Sequence, residues 1–255
     1  MITLHKQHRF LLSILSGILL VVSFPYTGSL TPLVFIAFVP LLLVDSYITV
    51  KRYKSRKVFT HAFITFLIYN VGTTWWVWNA DASGAVLAFV ANTLLMTVVF
   101  YMFHLTKKFV GSKEGYIALL IYWIGFEYLH YNWEASWTWL TLGNTFSIVP
   151  SWVQWYSYSG ALGGSFWILC INLLLFRVYH NLWIKGETWR IQTPLFILAG
   201  AAFVIPMTIS LITYATYEEE KNPYEVVAIQ PNIDPYNVKS VAYTHLRAHE
   251  TTDNL

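Results

Sequence analysis

Charge is what this sequence has least of. Only 11% of its 255 residues are Asp, Glu, Lys or Arg, where soluble domains carry about 25%. So few charges could not cover a surface facing water. Cysteine is nearly absent too. The single Cys170 excludes an intrachain disulfide and a cysteine-only metal cluster. No metal-ligand spacing, phosphate-binding glycine loop or Ser/His/Asp constellation is present. The residues by themselves therefore imply no metal and no cofactor. The net charge is only +3, its placement matters more than its sum, and nucleic acid is not an expected partner. What is there is apolar: 56% of residues are hydrophobic and 18% aromatic, with 12 Trp. Such a chain is covered by lipid, and the aromatics suit two membrane–water interfaces.

A helix needs about 20 apolar residues to cross the hydrocarbon core. Candidate spans lie at 10–24, 30–50, 58–78, 84–106, 116–131, 160–179 and 193–214. The first resembles a signal peptide, with Lys6 and Arg9 before the apolar run, but no small-x-small cleavage site follows, so it reads as an uncleaved first helix. Positive charge stays in the cytoplasm, which tests the count. With the N-terminus inside, 13 of the 16 basic residues fall inside, in clusters after the second, fourth and sixth spans and before the first. The expected fold class is thus an all-α polytopic membrane protein with about seven transmembrane helices.

The long segment 128–159 holds no Lys or Arg but many Trp and Tyr. Loops this long tend to be functional or disordered, and this one is too aromatic for disorder. It is expected in the outer interface, rings at headgroup depth. Glu127, in the fifth span, and His130 lie one turn apart and share a helix face. An ionisable residue within a span is a functional hypothesis by default. Asn70, Asn92 and Asn172 fall within spans, where polar side chains join helices. His61 and His104 lie near the cytoplasmic ends and are expected at the interface. Cys170 has no Lys or His at i±3 or i±4 to activate it and reads as structural.

After residue 214 the character changes. Glu218-Glu219-Glu220-Lys221-Asn222-Pro223 is a polar linker, and Val226-Val227-Ala228-Ile229 reads as a buried strand. The expected organisation is a helical membrane domain over 1–217, a linker and the start of an α/β domain over 218–239, and a tail over 240–255.

Several strings, in order, carry a family likeness. They include Ser23-Phe24-Pro25, Pro32 to Leu42, Phe126-Glu127-Tyr128-Leu129 and Ser136-Trp137-Thr138-Trp139-Leu140-Thr141-Leu142-Gly143-Asn144. Gln154-Trp155-Tyr156, Gly160-Ala161-Leu162-Gly163-Gly164, Asn172 and Val227-Ala228-Ile229-Gln230-Pro231-Asn232-Ile233 follow. Together they resemble the bacterial apolipoprotein N-acyltransferases, in the Bacteroidetes style, over about residues 10–239. That resemblance implies a multi-pass protein of the bacterial inner membrane with a cytoplasmic N-terminus and everything after about 215 in the periplasm. It implies transfer of an acyl chain from a phospholipid donor to the N-terminal diacylglyceryl-cysteine of a lipoprotein acceptor. It also implies a nitrilase-like domain, of which 226–229 would be the first strand, whose Glu, Lys and Cys form a thioester.

None of those catalytic positions has a match here. Glu225, Glu250 and Cys170 do not fit the motifs, so no catalytic residue is assigned and this stretch alone is expected to be inactive. Thr138 replaces a Pro common in relatives, Ser157 a Glu, and Ser240 an aromatic. The tail from 240 resembles translated adapter sequence and is expected to be non-native. Glu127, Trp139, Gly143 and Asn144 are expected to support the outer mouth through which lipid reaches the active site. The alternative is a small polytopic transporter or lipid-binding membrane protein without activity.

Overall fold

The computed structural model describes residues 4–219 and 224–230. The chain divides into two units, Met1–Tyr217 and Glu218–Leu255.

The first unit is helical. Among the described residues seven α-helices follow one another: α1 Lys6–Ser23, α2 Val39–Val50, α3 Arg56–Thr74, α4 Ala82–Phe109, α5 Ser112–Asn132, α6 Tyr156–Tyr179 and α7 Trp189–Thr216. Short 3-10 segments join several of them, at Thr31–Ile36, Trp75–Asn79, Thr138–Leu140, Leu142–Phe146 and Pro150–Trp152. Among the described residues, four stretches are long and apolar enough to cross a membrane: Thr31–Val50, Ala82–Phe109, Tyr156–Ile184 and Trp189–Thr216. The other three helices miss that mark for a visible reason. α3 spends its length on His61, Thr65, Asn70, Thr73 and Thr74, all buried against neighbours. α5 carries Glu114, Glu127 and His130, and α1 carries Ser13, Ser16 and Ser23, buried as well. Except for Glu114, which is exposed, these polar groups face protein, where hydrogen bonds take the place of apolar surface.

Those bonds are specific. Thr65 of α3 donates to the Ser13 carbonyl of α1 at 2.8 Å. Asn92 of α4 donates to Asn70 Oδ1 of α3 at 2.7 Å. Pro40 interrupts the second span, because a proline supplies no N–H to the helical ladder. Asn172 of α6 repairs the joint. Its Oδ1 accepts the Phe38 N–H and its Nδ2 donates to the Val34 carbonyl, both at 2.8 Å.

The core is aromatic at its centre, where Phe38, Phe66, Phe100 and Trp123 are fully buried. The Trp123 and Phe38 rings meet edge to face at 5.1 Å, the favourable geometry for such a pair. α7 leans on α6 through Trp167, whose Nε1 donates to the Ala202 carbonyl at 2.6 Å. Only 11% of its apolar window is buried.

The bundle has two unlike ends. One holds Arg9, Tyr47, Tyr53, His104, Lys107, Arg177 and the basic turns after α2 and α4. The other holds Trp75, Trp76, Trp139 and Tyr156. We call them the basic end and the aromatic end.

Three expectations are corrected. His61 and His104 are not interfacial: they are 4% and 1% exposed, bonded to Ser13 and to Asp45. The loop 128–159 is not simply laid in an interface, since Leu140, Leu142 and Phe146 are buried in the core. Residues 224–230 form no strand, and Val226, Val227 and Ile229 are exposed. A strand exists only as part of a ladder, and no second strand lies among the described residues.

Candidate functional site

The aromatic end is organised around one short segment, Leu142–Asn144. Glu127, on the last turns of α5, is 2% exposed. Its Oε1 accepts two hydrogen bonds, from Trp123 Nε1 at 2.9 Å and from the Leu142 N–H at 2.8 Å. The first is local, one turn back along α5; the second reaches across to the loop. Glu127 Oε2 has no partner among the described residues.

Gly143 is held from α6. Its N–H donates to Ser165 Oγ and its carbonyl accepts from Tyr156 Oη, both at 2.9 Å. The glycine is required here, because a Cβ would collide with the Ala161 carbonyl of α6. A second glycine shapes the same junction. Gly160 adopts φ 62°, ψ −171°, a region almost closed to other residues, and so kinks the start of α6. Asn144 closes the turn, donating from Nδ2 to the Thr138 carbonyl at 3.0 Å.

Two clefts open at this end, and Asn144 lines the first of them. The first, about 450 Å³, is lined by Tyr26, Thr27, Trp75, Trp76, Trp139 and Asn144 among others, none of them charged. Trp139 is 57% exposed and meets Trp76 edge to face at 5.4 Å. The four residues expected at the mouth thus fall into two roles. Glu127 and Gly143 are buried fastenings of the loop; Trp139 and Asn144 face the cleft.

Sequence reading missed most of the second cleft. About 380 Å³ in volume, it runs beside α4 and is lined by Gly84, Ala88, Ala91, Asn92, His130 and Trp137 among others. His130 does not bond Glu127 despite sharing its face. Its Nδ1 accepts from Trp133 Nε1 at 3.2 Å and from the Trp137 N–H at 3.1 Å. With Nδ1 an acceptor, the neutral ring carries its proton on Nε2. That Nε2–H, Trp137 Nε1–H and Asn92 Oδ1 have no partner among the described residues. One cleft is therefore lined by residues with two unused donors and one unused acceptor. The spacing of His130 from Glu127 gave no sign of this, since the donors come from a loop that sequence cannot place.

The comparisons with known proteins meet this geometry. The family model for the apolipoprotein N-acyltransferase N-terminal domain matches residues 16–174. A protein named apolipoprotein N-acyltransferase from Chlorobaculum tepidum is 29% identical over 231 residues, 89% of this chain and 42% of that relative. One of the same name from Geobacter metallireducens is 29% identical over 247 residues, 91% of this chain and 45% of its own length. The chain therefore spans less than half the length of these curated relatives. No solved structure matches it.

Proposed function

Because this chain belongs to the apolipoprotein N-acyltransferase N-terminal domain family, we propose that it is the membrane-embedded half of an enzyme that acylates lipoproteins. All seven helices cross the bacterial inner membrane, with the basic end cytoplasmic and the aromatic end periplasmic. Lys and Arg clustering at one end supports that orientation. Residues 218–239 are the linker and opening of a nitrilase-like domain on the periplasmic side, and 240–255 are not native to it.

The geometry gives the helices a task beyond anchoring. The observation that carries this is the fastening of Leu142–Asn144 by Glu127 from α5 and by Tyr156 and Ser165 from α6. It fixes the rim of an uncharged aromatic cleft, a surface that suits the polar–apolar boundary of a lipid. The side cleft supplies room for a phospholipid donor: the small residues Gly84, Ala88 and Ala91 leave space for a chain along α4. The acyl group then reaches a nucleophile outside this chain, and the acceptor is a diacylglyceryl lipoprotein. None of the described residues supplies that nucleophile, so the chain alone transfers nothing.

Two measurements test the proposal. Uninterrupted sequencing of the parent locus through codon 239 is expected to run on into a domain bearing Glu, Lys and Cys in that order. The purified chain, given phospholipid and a diacylglyceryl lipopeptide, is expected to leave the peptide amine free. N-acylation of that peptide by the 255-residue chain itself would sink the division of labour.

A further inference from the structure

The basic end carries a cavity for which acyl transfer at the other end has no use. It is about 570 Å³ and lies between the ends of α2, α4 and α6 and the start of α5. Lys107, Lys113, Arg177, His180 and Lys185 line it, and no carboxylate does. These cations are not equivalent. Lys107 is engaged by Asp45, and Lys185 lies 3.8 Å from Glu187. Lys113 and Arg177 have no carboxylate within 4.0 Å among the described residues.

The wall is shaped by an unusual helix end. Beyond α6 the chain takes one wide turn, His180–Ile184, in which the Lys185 N–H reaches the His180 carbonyl at 3.1 Å. Such i→i+5 turns are rare and concentrate at functional sites. This one sets His180 and Lys185 on the same cavity wall as Arg177.

A second cavity adjoins the first. It is about 140 Å³ and apolar, lined by Leu12, Leu43, Tyr47, Tyr179 and Ile184, and it shares Ser46 and Val50 with the basic cavity. An anion-binding pocket beside a hydrocarbon slot matches one kind of molecule. We propose that this end of the bundle binds an anionic phospholipid, its phosphate at Lys113 and Arg177 and one acyl chain in the slot. Basic pockets between spans attract anionic headgroups in this way. A soluble phosphate ester would leave the slot unused. The lipid is held here, not reacted, and the inference does not depend on the acyltransferase reading.

The test is lipid retention by the purified 255-residue chain in detergent, counted by native mass spectrometry. Phosphatidylglycerol, phosphatidylcholine and glycerol 3-phosphate are the probes. Phosphatidylglycerol is expected to be retained about tenfold better than phosphatidylcholine. The double variant Lys113→Gln/Arg177→Gln should erase that preference. Val50→Trp, at a 48% exposed position shared by both cavities, should lower retention of both lipids. Lys54→Gln/Arg56→Gln, exposed basic positions lining neither cavity, should change nothing. All these positions are exposed, so melting temperatures should hold. Equal loss in the Lys54/Arg56 variant would show diffuse attraction and overturn the site. So would absence of an anionic preference, or displacement of phosphatidylglycerol by glycerol 3-phosphate at equal concentration.

Discussion

At the aromatic end a carboxylate, Glu127, is buried with only neutral partners; at the basic end another, Asp45, is buried against charge. Asp45 is 1% exposed and bonds both Lys107 and His104, the latter at 2.6 Å. His104 passes the network on to Ser55 at 3.1 Å. Around it the cations lie on rings: Arg9 over Tyr47 at 5.5 Å and over Tyr53 at 5.4 Å, Lys57 over Tyr53 at 4.1 Å. Both oxygens of Asp45 are engaged, so it is consumed by structure. Glu127 keeps one oxygen without a partner among the described residues, beside the loop that it fastens. Burial alone does not separate a structural carboxylate from one free to act; the count of satisfied oxygens does.

The largest effect should come from breaking the charged end. Asp45→Asn leaves the Lys107 ammonium buried without its counter-charge, which costs about 3–5 kcal/mol. Removing both charges together, as in Asp45→Asn/Lys107→Met, should recover most of that loss, because no buried ammonium is then stranded and the amide at 45 can still bond His104. Unfolding of the purified protein in detergent measures both. A double variant as unstable as the single one would mean that packing, not charge pairing, holds this end.

The neutral end should respond less. Glu127→Ala strands the Trp123 and Leu142 N–H donors, and at the strength typical of hydrogen bonds between membrane helices the cost is on the order of 2 kcal/mol. Glu127→Gln keeps an acceptor for both donors and should unfold close to the parent. If Gln is as damaging as Ala, the two hydrogen bonds are not what fastens the loop. A Gln variant that stays folded but abolishes lipoprotein acylation in a full-length protein would assign the work to the unpartnered oxygen. Asn172→Leu tests a third joint. It removes the bonds that bridge the Pro40 break, with an expected cost of about 2 kcal/mol, read in the same unfolding experiment.

The sequence made some of this legible. Apolar runs located the helices, because a span must satisfy its own backbone and cover itself with hydrocarbon. The string Thr141-Leu142-Gly143-Asn144 stood out, and its neighbours do converge on it. Asp45 drew no notice at all: its partners His104 and Lys107 lie on α4, some sixty positions away, and nothing local links them. The histidines were misplaced for a related reason. Nearness to the end of a span suggested water, while helix packing buried them. The strand at 226–229 failed differently. Four apolar residues in a row mark a strand only when something pairs with them.

The smallest effect is expected at Asp81, which caps α4 at the aromatic end in the turn before the helix. Its carboxylate accepts from the Ser83 N–H at 3.1 Å, the Ser83 hydroxyl at 2.9 Å and the Gly84 N–H at 2.8 Å. The Ser83 hydroxyl, then the Gly84 and Ser83 amides, favour the charged form and hold its pKa below the ordinary 3.8. The sign follows from linkage. A carboxylate acidified by folding stabilises the protein fully above its unfolded pKa and loses that contribution as pH falls through the folded one. The window therefore lies below 3.8. Asp81→Asn keeps a capping oxygen but cannot titrate, so its melting temperature should fall less than the parent's as pH drops through that window. The two ends differ here as well. Asp81 is open to solvent, so added salt should blunt its effect, while the buried Asp45–Lys107 pair should barely respond. Equal salt sensitivity at both sites would contradict the assignment of one as surface cap and the other as buried charge.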